Sequence, residues 1–242
     1  MEYKIPQSYV AIDLETTGLN PKIDRIIEIG AIRVENGQVV QGKTTLVNPH
    51  LELPERIQKL TGIDDSMVAE APGIEEVIGE YVEFCQDLPL LGHKILFDYS
   101  FLKRAAVNQK LLFEKAGIDT LTLSRRFMPA QEKKTLESAC AYYQVDTGTA
   151  HRALNDAYAA HGLYQVLGLL HGDADTEVFA PKTLIYKIKR EQPASKRQKE
   201  VLHELVKYHR IEIPVQIDYL SRNEISRLTD KIISQYGRIA KR

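Results

Sequence analysis

The sequence has few cysteines and no long apolar run. Cys85 and Cys140 are the two cysteines among 242 residues, and both fall within helix-like patterns. They provide no disulfide framework and favour a reducing compartment. No apolar stretch approaches the roughly 18–20 residues of a membrane span, so we expect no membrane partner. The opening MEYKIPQSY also lacks the apolar segment of a signal peptide, and we expect a cytoplasmic protein.

The charges are divided unevenly along the chain. Residues 1–179 carry 17 Lys and Arg against 26 Asp and Glu, whereas residues 180–242 carry 15 against 7. A net charge of −9 is therefore followed by one of +8, which predicts a basic module for an anionic partner. We expect one domain over residues 1–171, a linker over 172–194, and a basic helical accessory module over 195–242.

Hydrophobic periodicity predicts an α/β protein. Strands are indicated at 8–14, 26–34, 38–47, 89–93 and 117–123, and helices at 54–62, 74–86, 97–107, 135–143 and 151–170. Asn36-Gly37 is a favoured two-residue hairpin turn between the second and third strands. The order predicts a mixed five-stranded sheet with helices on both faces.

Two serine motifs predict helices in the basic module. Ser195-x-x-Gln198 and Ser221-x-x-Glu224 both have the form of a capping box, in which the two side chains satisfy free backbone N–H groups at a helix start. The module is therefore expected to be a small pair of helices.

Four acidic residues occur where acids are costly. Asp13 and Glu15, in YVAIDLETTG, are two apart in an apolar strand and therefore share one face. Two such neighbours repel each other and resist desolvation. Asp98 follows an apolar strand, and Asp156 lies in the last long helix of the first domain. Taken alone, Asp98 and Asp156 could each be an ordinary helix acid.

A divalent metal would relieve this repulsion. Carboxylate oxygens suit Mg²⁺ and Mn²⁺, and a pair of such ions about 3.5–4 Å apart can hold both the attacking and the leaving oxygen of a phosphoryl displacement. His151 precedes Asp156 by five residues and could serve as the base for an attacking water. Its spacing alone does not separate this role from a structural one.

Three motifs in order resemble those of one enzyme family. They are AIDLETTGL with Asp13 and Glu15, GHKILFDYSFL with Asp98, and HRALNDA with His151 and Asp156. Over residues 8–170 the chain resembles the DEDD superfamily of 3′–5′ exonucleases, in its histidine-containing DEDDh branch. This branch includes the proofreading epsilon subunit of the bacterial replicative polymerase and RNase T.

The resemblance implies a ribonuclease H-like fold and a two-metal site. It implies two divalent ions, Mg²⁺ or Mn²⁺, held by Asp13, Glu15, Asp98 and Asp156. It also implies that His151 is the general base, that nucleoside 5′-monophosphates are released, and that Thr16 and Thr17 lie beside the 3′-terminal nucleotide. Nucleic acid is the expected partner, DNA ahead of RNA, with a DNA polymerase subunit as a further partner.

The second motif departs from the family pattern at one position. The family commonly has Asn where this chain has Lys94, in GHK. A lysine there could be solvated, or it could bind a substrate phosphate as a point charge. The change affects hydrogen bonding near the motif and removes no expected metal ligand.

The basic module has three interpretations. Its basic residues are Lys196, Arg197, Lys199, Lys207, Arg210, Arg222, Arg227, Lys231, Arg238, Lys241 and Arg242. They could contact nucleic-acid phosphates, dock on the acidic first domain, or only keep the surface soluble. Few aromatic residues lie among them, so base stacking is not indicated.

The sequence as a whole predicts a metal-dependent 3′–5′ exonuclease acting on single-stranded DNA ends. A 3′–5′ exoribonuclease that trims RNA ends remains an alternative, because recognition of the 2′-hydroxyl depends on pocket shape. A non-catalytic protein that binds nucleic-acid ends or a polymerase is the alternative from another class.

Overall fold

A mixed sheet of six strands is the centre of the first structural unit. The computed structural model of the chain describes residues 5–148 and 151–239. The strands are β1 (Tyr9–Thr16), β2 (Ile26–Glu35), β3 (Gln38–Leu46), β4 (Leu90–Gly92), β5 (Ala116–Asp119) and β6 (Lys182–Thr183). Their order is β3-β2-β1-β4-β5-β6. The β1–β2 and β2–β3 pairs are antiparallel, β1–β4 and β4–β5 are parallel, and β6 is antiparallel to β5.

The strand count differs from the five that the sequence predicts. The sixth strand, β6, has only two residues, and it pairs through Ala116 with Thr183 and through Gly117 with Lys182. Two residues are too few to produce an alternating pattern, so only the tertiary pairing with β5 reveals this strand. The expected hairpin is confirmed, because Asn36 and Gly37 both have positive φ, 52° and 78°.

Nine α-helices occur in the described residues. They are α1 (Glu55–Thr61), α2 (Asp65–Ala69), α3 (Ile74–Cys85), α4 (Leu96–Asn108), α5 (Thr120–Phe127), α6 (Leu136–Tyr143), α7 (Ala153–His171), α8 (Lys196–His209) and α9 (Arg222–Tyr236). Short 3-10 helices span Thr176–Phe179 and Ile217–Tyr219. None of the helices in the described part of the chain is long and apolar enough to cross a membrane.

Helix α5 occupies residues that the sequence analysis assigned to the end of a strand. Asp119 ends β5 and at the same time caps α5, since its side chain accepts the N–H of Leu121. The following TLTL is rich in residues that also suit strands, so its local pattern is ambiguous. The cap turns the chain into a helix there.

The two faces of the sheet carry separate cores. Val10, Ile12 and Leu14 of β1 belong to the core that includes residues of α3 and α4. Tyr9 and Ala11, on the opposite face of β1, belong to the core that includes residues of α7. Because side chains alternate along a strand, Asp13 and Glu15 continue the face that is directed at α7.

Helix α7 lies very close to β2 at one glycine. A Cβ placed on Gly30 would overlap the backbone of Ala153 and Leu154, at the start of α7. Gly30 is also the cross-strand neighbour of Asp13. The missing side chain therefore lets the first turn of α7 reach the acidic end of β1.

A second structural unit comprises residues 50–52 and the described residues from Lys189 to 239. Both predicted capping boxes are present, at Ser195 with Gln198 and at Ser221 with Glu224. Its core includes Leu202, Leu205, Ile217, Leu220, Ile225 and Ile232. Lys241 and Arg242 lie outside the described residues.

The segment expected as a linker over 172–194 is divided between the two units. Its residues up to Ile188 belong to the first unit. Phe179 is fully buried there, and β6 extends the sheet. The sequence does not reveal this, because one buried aromatic residue and a two-residue strand leave no periodic pattern.

Replacing Gly30 by alanine should destabilise the protein strongly. The new methyl group must displace backbone rather than a flexible side chain, so we expect the free energy of unfolding to fall by about 3 kcal/mol. The matched control is Gly42→Ala on β3, where a Cβ would lie an ordinary 3.4 Å from Tyr158 Oη. Urea unfolding measures the free energy of unfolding of both variants. Equal stability of Gly30→Ala and wild type would contradict the close contact between β2 and α7.

Candidate functional site

The sheet topology brings the first two acidic motifs to one edge. Strands β1 and β4 are parallel, so their carboxyl ends meet at the same edge of the sheet. Asp13 and Glu15 lie near the end of β1, and Asp98 lies in the first turn of α4, which follows β4. Asp98 is buried, and its Oδ1 accepts the N–H of Leu14 at 3.2 Å. This hydrogen bond ties the second motif to the backbone of the first.

The first turn of α7 brings the third motif to the same edge. Asp156 Oδ2 accepts the backbone N–H of His151 at 3.1 Å. Each of Glu15, His151 and Asp156 offers one ligand atom, and these three atoms lie within 4.8 Å of one another. That compact group of described residues does not include Asp13 or Asp98. His151 has a positive φ of 60°, a backbone conformation that is uncommon for residues other than glycine.

The acids of this edge influence one another electrostatically. Burial raises the pKa of Asp13 well above its usual range, and the charges of Asp98, Asp156 and Glu15 raise it further. Burial also raises the pKa of Glu15 to about 7, together with the charges of Asp156 and Glu28 and against the opposing charge of Arg152. The pKa values of Asp98 and Asp156 are likewise raised, mainly by burial. The site therefore disfavours its own ionised form.

One acid of this region was missed by the sequence analysis. Glu28 is buried in β2 directly opposite Glu15. Arg152 Nη2 donates to its Oε1 at 2.7 Å, Arg152 Nε lies 3.2 Å from both carboxylate oxygens, and Ala153 N–H donates to Oε2 at 3.0 Å. A usable signal was present, because Glu28 interrupts an apolar strand in IIEIGAI just as Asp13 does in β1.

The donor set fits a divalent cation. Among the described residues, no Lys or Arg forms an ion pair with the four acids of the expected site: Asp13, Glu15, Asp98 and Asp156. Buried carboxylates that form no ion pair are costly, and carboxylate with imidazole is a donor set that divalent metals accept. The carboxylate and histidine cluster at this edge can therefore hold a metal ion.

Thr16 and Thr17 are engaged in the loop that follows β1. Thr16 Oγ1 donates to the carbonyl of Gly18 at 2.7 Å, and Thr17 Oγ1 accepts the N–H of Arg25 at 3.0 Å. Both threonines are buried. Their hydroxyl groups shape the loop beside the acidic cluster, and contact with a nucleotide stays a prediction.

Lys94 has its backbone in the left-handed region, with φ of 71°. Its N–H donates to Asp119 Oδ1 at 2.8 Å, and its exposed side chain places Nζ 5.8 Å from the ring centre of Phe97. Asparagine adopts this backbone conformation more readily than lysine does, which gives a physical reason for an asparagine at such a position. The hydrogen bond to the Asp119 carboxylate uses only the backbone N–H of residue 94, so it does not depend on the lysine side chain.

The fold and the site define a class of protein. The protein is an α/β protein with a mixed sheet, and a carboxylate and histidine cluster lies at the edge where two parallel strands have their carboxyl ends. The family model for the RNase T type of exonuclease matches residues 10–164. The chain belongs to this exonuclease family, and the resemblance to DEDD 3′–5′ exonucleases is confirmed.

Two relatives illustrate the similarity in sequence. The DNA polymerase III subunit epsilon of Aquifex aeolicus is 36% identical over 151 residues, which are 62% of this chain and 75% of the relative. A PolC-type DNA polymerase III of Caldanaerobacter subterraneus subsp. tengcongensis is 39% identical over 163 residues. Those residues are 67% of this chain, whereas the matched part is only 12% of the PolC-type protein.

Solved structures show the same fold. Exonuclease X in complex with 5′ overhanging duplex DNA has a TM-score of 0.56 and 26% identity, and the match covers 71% of this chain and 99% of that one. E. coli exonuclease I in complex with a dT13 oligonucleotide has a TM-score of 0.61 and 17% identity, covering 72% of this chain and 43% of that one. The expected ribonuclease H-like α/β class is confirmed.

Without divalent cation, the stability of the protein should fall as the pH rises. The pKa of Glu15 is raised from 4.5 to about 7, so the folded state binds its proton more tightly than the unfolded state does. Its stabilising contribution is complete below about pH 4.5 and is lost as the pH approaches 7. At pH 8 with a chelator present, the free energy of unfolding of Glu15→Gln, measured with urea, should therefore exceed that of wild type by up to about 3 kcal/mol.

The matched control is Glu35→Gln, also on the sheet but in a partly exposed pair with Arg33. It should stay within about 0.5 kcal/mol of wild type at both pH values. Added Mg²⁺ or Mn²⁺ should reverse the order of wild type and Glu15→Gln, because a cation that binds only the folded state stabilises it. A wild-type stability independent of pH would contradict the described electrostatics.

Proposed function

We propose that this chain is a metal-dependent 3′–5′ exonuclease that releases nucleoside 5′-monophosphates from single-stranded DNA ends. The observation that carries the proposal is the group of four carboxylates, none of them in an ion pair with a Lys or Arg of the described residues, next to His151 at the edge of the sheet. Nothing in the packing of an ordinary structural protein requires such a group. Family membership adds the reaction type.

Asp13, Glu15, Asp98 and Asp156 would hold two divalent ions, Mg²⁺ or Mn²⁺. Bound ions of this kind polarise a phosphoryl oxygen and stabilise charge on the attacking and leaving oxygens. The contribution of the chain is rigid placement. Asp98 is fixed by the backbone of β1, and Asp156 by the N–H of His151.

His151 would act as the general base. Imidazole is well suited to exchange a proton near neutral pH, and the side chain is exposed next to Glu15 and Asp156. Its backbone N–H donates to Asp156, which keeps the residue beside the acidic cluster.

The substrate proposal rests on the relatives and on the surroundings of the site. Exonuclease X and exonuclease I are described in complexes with DNA, which favours DNA over RNA. Thr16, Thr17 and Lys94 lie in or beside the acidic motifs and would contact the terminal nucleotide.

The polymerase III relatives support association with a DNA polymerase subunit. Two buried free cysteines agree with a cytoplasmic location.

The C-terminal unit would bind nucleic-acid phosphates. Lys196 and Lys199 are paired with Glu200 and Asp218 inside the unit, at 3.8 and 3.5 Å. Arg227 and Lys231 lie one turn apart on α9, are exposed, and belong to no ion pair in the described part of the chain. Uncompensated basic side chains on one helix face suit contact with a phosphate backbone.

Substitutions at Asp13 and His151 should separate metal binding from catalysis. Asp13→Asn removes a charge from the acidic edge, so both Mn²⁺ affinity, measured by calorimetry, and hydrolysis should fall by at least about 100-fold. His151→Gln should keep most of the Mn²⁺ affinity and lower hydrolysis by about 100-fold or more. The control Asp175→Asn changes a surface ion pair with Arg126 and should leave both unchanged.

The assay compares end-labelled single-stranded DNA, duplex DNA, mismatched duplex and RNA, each with Mg²⁺ or Mn²⁺. Release of labelled mononucleotide from the 3′ end of single-stranded DNA is the expected result. Preference for RNA would establish the exoribonuclease alternative, and binding without hydrolysis would establish the non-catalytic one. Loss of Mn²⁺ binding in His151→Gln would assign the histidine as a ligand.

Neutralising α9 should reduce the salt dependence of DNA binding. For Arg227→Gln with Lys231→Gln in the full chain, we expect the slope of log K against log salt to decrease by about 1.4, because each single-strand phosphate contact contributes about 0.7. The matched control is Lys59→Gln with Arg126→Gln, which changes two exposed, ion-paired residues of the first unit. An unchanged slope in the α9 variant would remove phosphate binding from this face.

A further inference from the structure

Glu28 lies beside the acidic cluster, but its contacts differ from those of the four acids of the expected metal site. It lies directly across from Glu15 in the β1–β2 register, and it is only 1% exposed. Arg152 neutralises it through two guanidinium nitrogens. Glu28 therefore has an ion-paired basic partner, which the other four acids do not have among the described residues.

The carboxylate of Glu28 also provides the hydrogen-bond acceptor that the first N–H of α7 needs. The residue at the N-cap of α7 is Arg152, and its side chain makes no capping hydrogen bond. The N–H of Ala153, the first residue of α7, instead donates to Glu28 Oε2 at 3.0 Å. A free N–H at a helix start needs an acceptor, and a negative charge is favourable there. Strand β2 thus caps a helix that follows more than 100 residues later.

This cap is next to the third motif. Arg152 and Ala153 lie between His151 and Asp156 in sequence, so their placement sets the first turn of α7. Gly30, two residues beyond Glu28 on the same face of β2, allows the helix backbone to approach. The position of the helix start is thus fixed by a steric gap and by a charged hydrogen-bonded contact.

We infer that Glu28 and Arg152 form a positioning pair, which anchors the start of α7 to β2 and thereby fixes His151 and Asp156 relative to Glu15. Neither residue is required to touch substrate or metal for this role. The charge of Arg152 also keeps the Glu28 carboxylate engaged, so that Glu28 does not compete with the four acids for a cation. A buried carboxylate without this partner would be strongly unfavourable.

Arg152→Gln tests the pair because positioning and simple electrostatics predict opposite signs. Removing a positive charge beside Glu15 should by itself strengthen the binding of Mn²⁺. Loss of positioning should instead weaken Mn²⁺ binding, measured by calorimetry on the full chain, by about 10-fold or more. Arg152→Lys keeps the charge but loses the two-pronged contact, so it should lie between wild type and Arg152→Gln. Tighter binding in Arg152→Gln would overturn the inference.

Hydrogen exchange tests the pair without any use of metal or activity. In Arg152→Gln and in Glu28→Ala, amides at the start of α7 should exchange at least about 10-fold faster than in wild type, because the helix start loses its anchor. Amides of β1 should keep their protection. The control Glu35→Gln breaks the Arg33 pair on the same strand and should leave α7 unchanged. Unchanged exchange at the start of α7 in both variants would overturn the inference.

The kinetic consequence rests on the proposed exonuclease function. On single-stranded DNA, Arg152→Gln should lower kcat by about 10–100-fold with little change in KM, and Glu28→Gln combined with Arg152→Gln should cost less than the product of the single losses. If kcat fell only in proportion to the folded fraction, or if the kcat loss of the double variant equalled the product of the single losses, the pair would contribute to the stability of the fold and not to positioning. If wild type hydrolyses no nucleic acid, the proposed function fails, while hydrogen exchange still decides the positioning role.

Discussion

Electrostatic repulsion among the carboxylates at the end of β1 is the constraint on which the arrangement of this protein depends. Asp13 and Glu15 share one face of a buried strand, and Asp98 and Asp156 approach the same edge from α4 and α7. Burial raises the pKa of each of these acids, and the charges of neighbouring acids raise it further, with Glu28 supplying that charge for Asp156. The fold therefore maintains a local instability that a divalent cation would relieve, which is expected of a binding site rather than of a core.

The rest of the first unit holds these acids in place. The parallel pairing of β1 with β4 puts Asp98 at the correct edge, and its hydrogen bond from Leu14 fixes it there. On the other face, Gly30 gives α7 room to approach β2, and Glu28 accepts the first N–H of that helix. A helix held at its start by both shape and charge presents Asp156 with little freedom. Rigid placement of this kind is what a metal-assisted reaction requires of the chain.

Much of the fold and of the site could be predicted from local patterns. The long strands, the Asn36-Gly37 hairpin and both capping boxes have short-range chemical signatures. The four acids and His151 were recognisable because acids in apolar surroundings are unusual and because the three motifs occur in order. Strand β6 and helix α5 escaped, since a two-residue strand has no periodicity and TLTL suits either element. Glu28 escaped because the acids of the three motifs already accounted for the expected site.

By itself, the sequence determined which side chains would carry charge, where the strands alternate, and which face Asp13 and Glu15 share. These properties follow from bonding within a few residues, so they are legible in the order of the chain. Only the tertiary structure decided that Glu28 opposes Glu15, that Arg152 neutralises it, and that Gly30 lies under α7. These contacts join β2 to a helix more than 100 residues away. Their physical basis is the register and close approach of separate elements, and no local pattern records such distances.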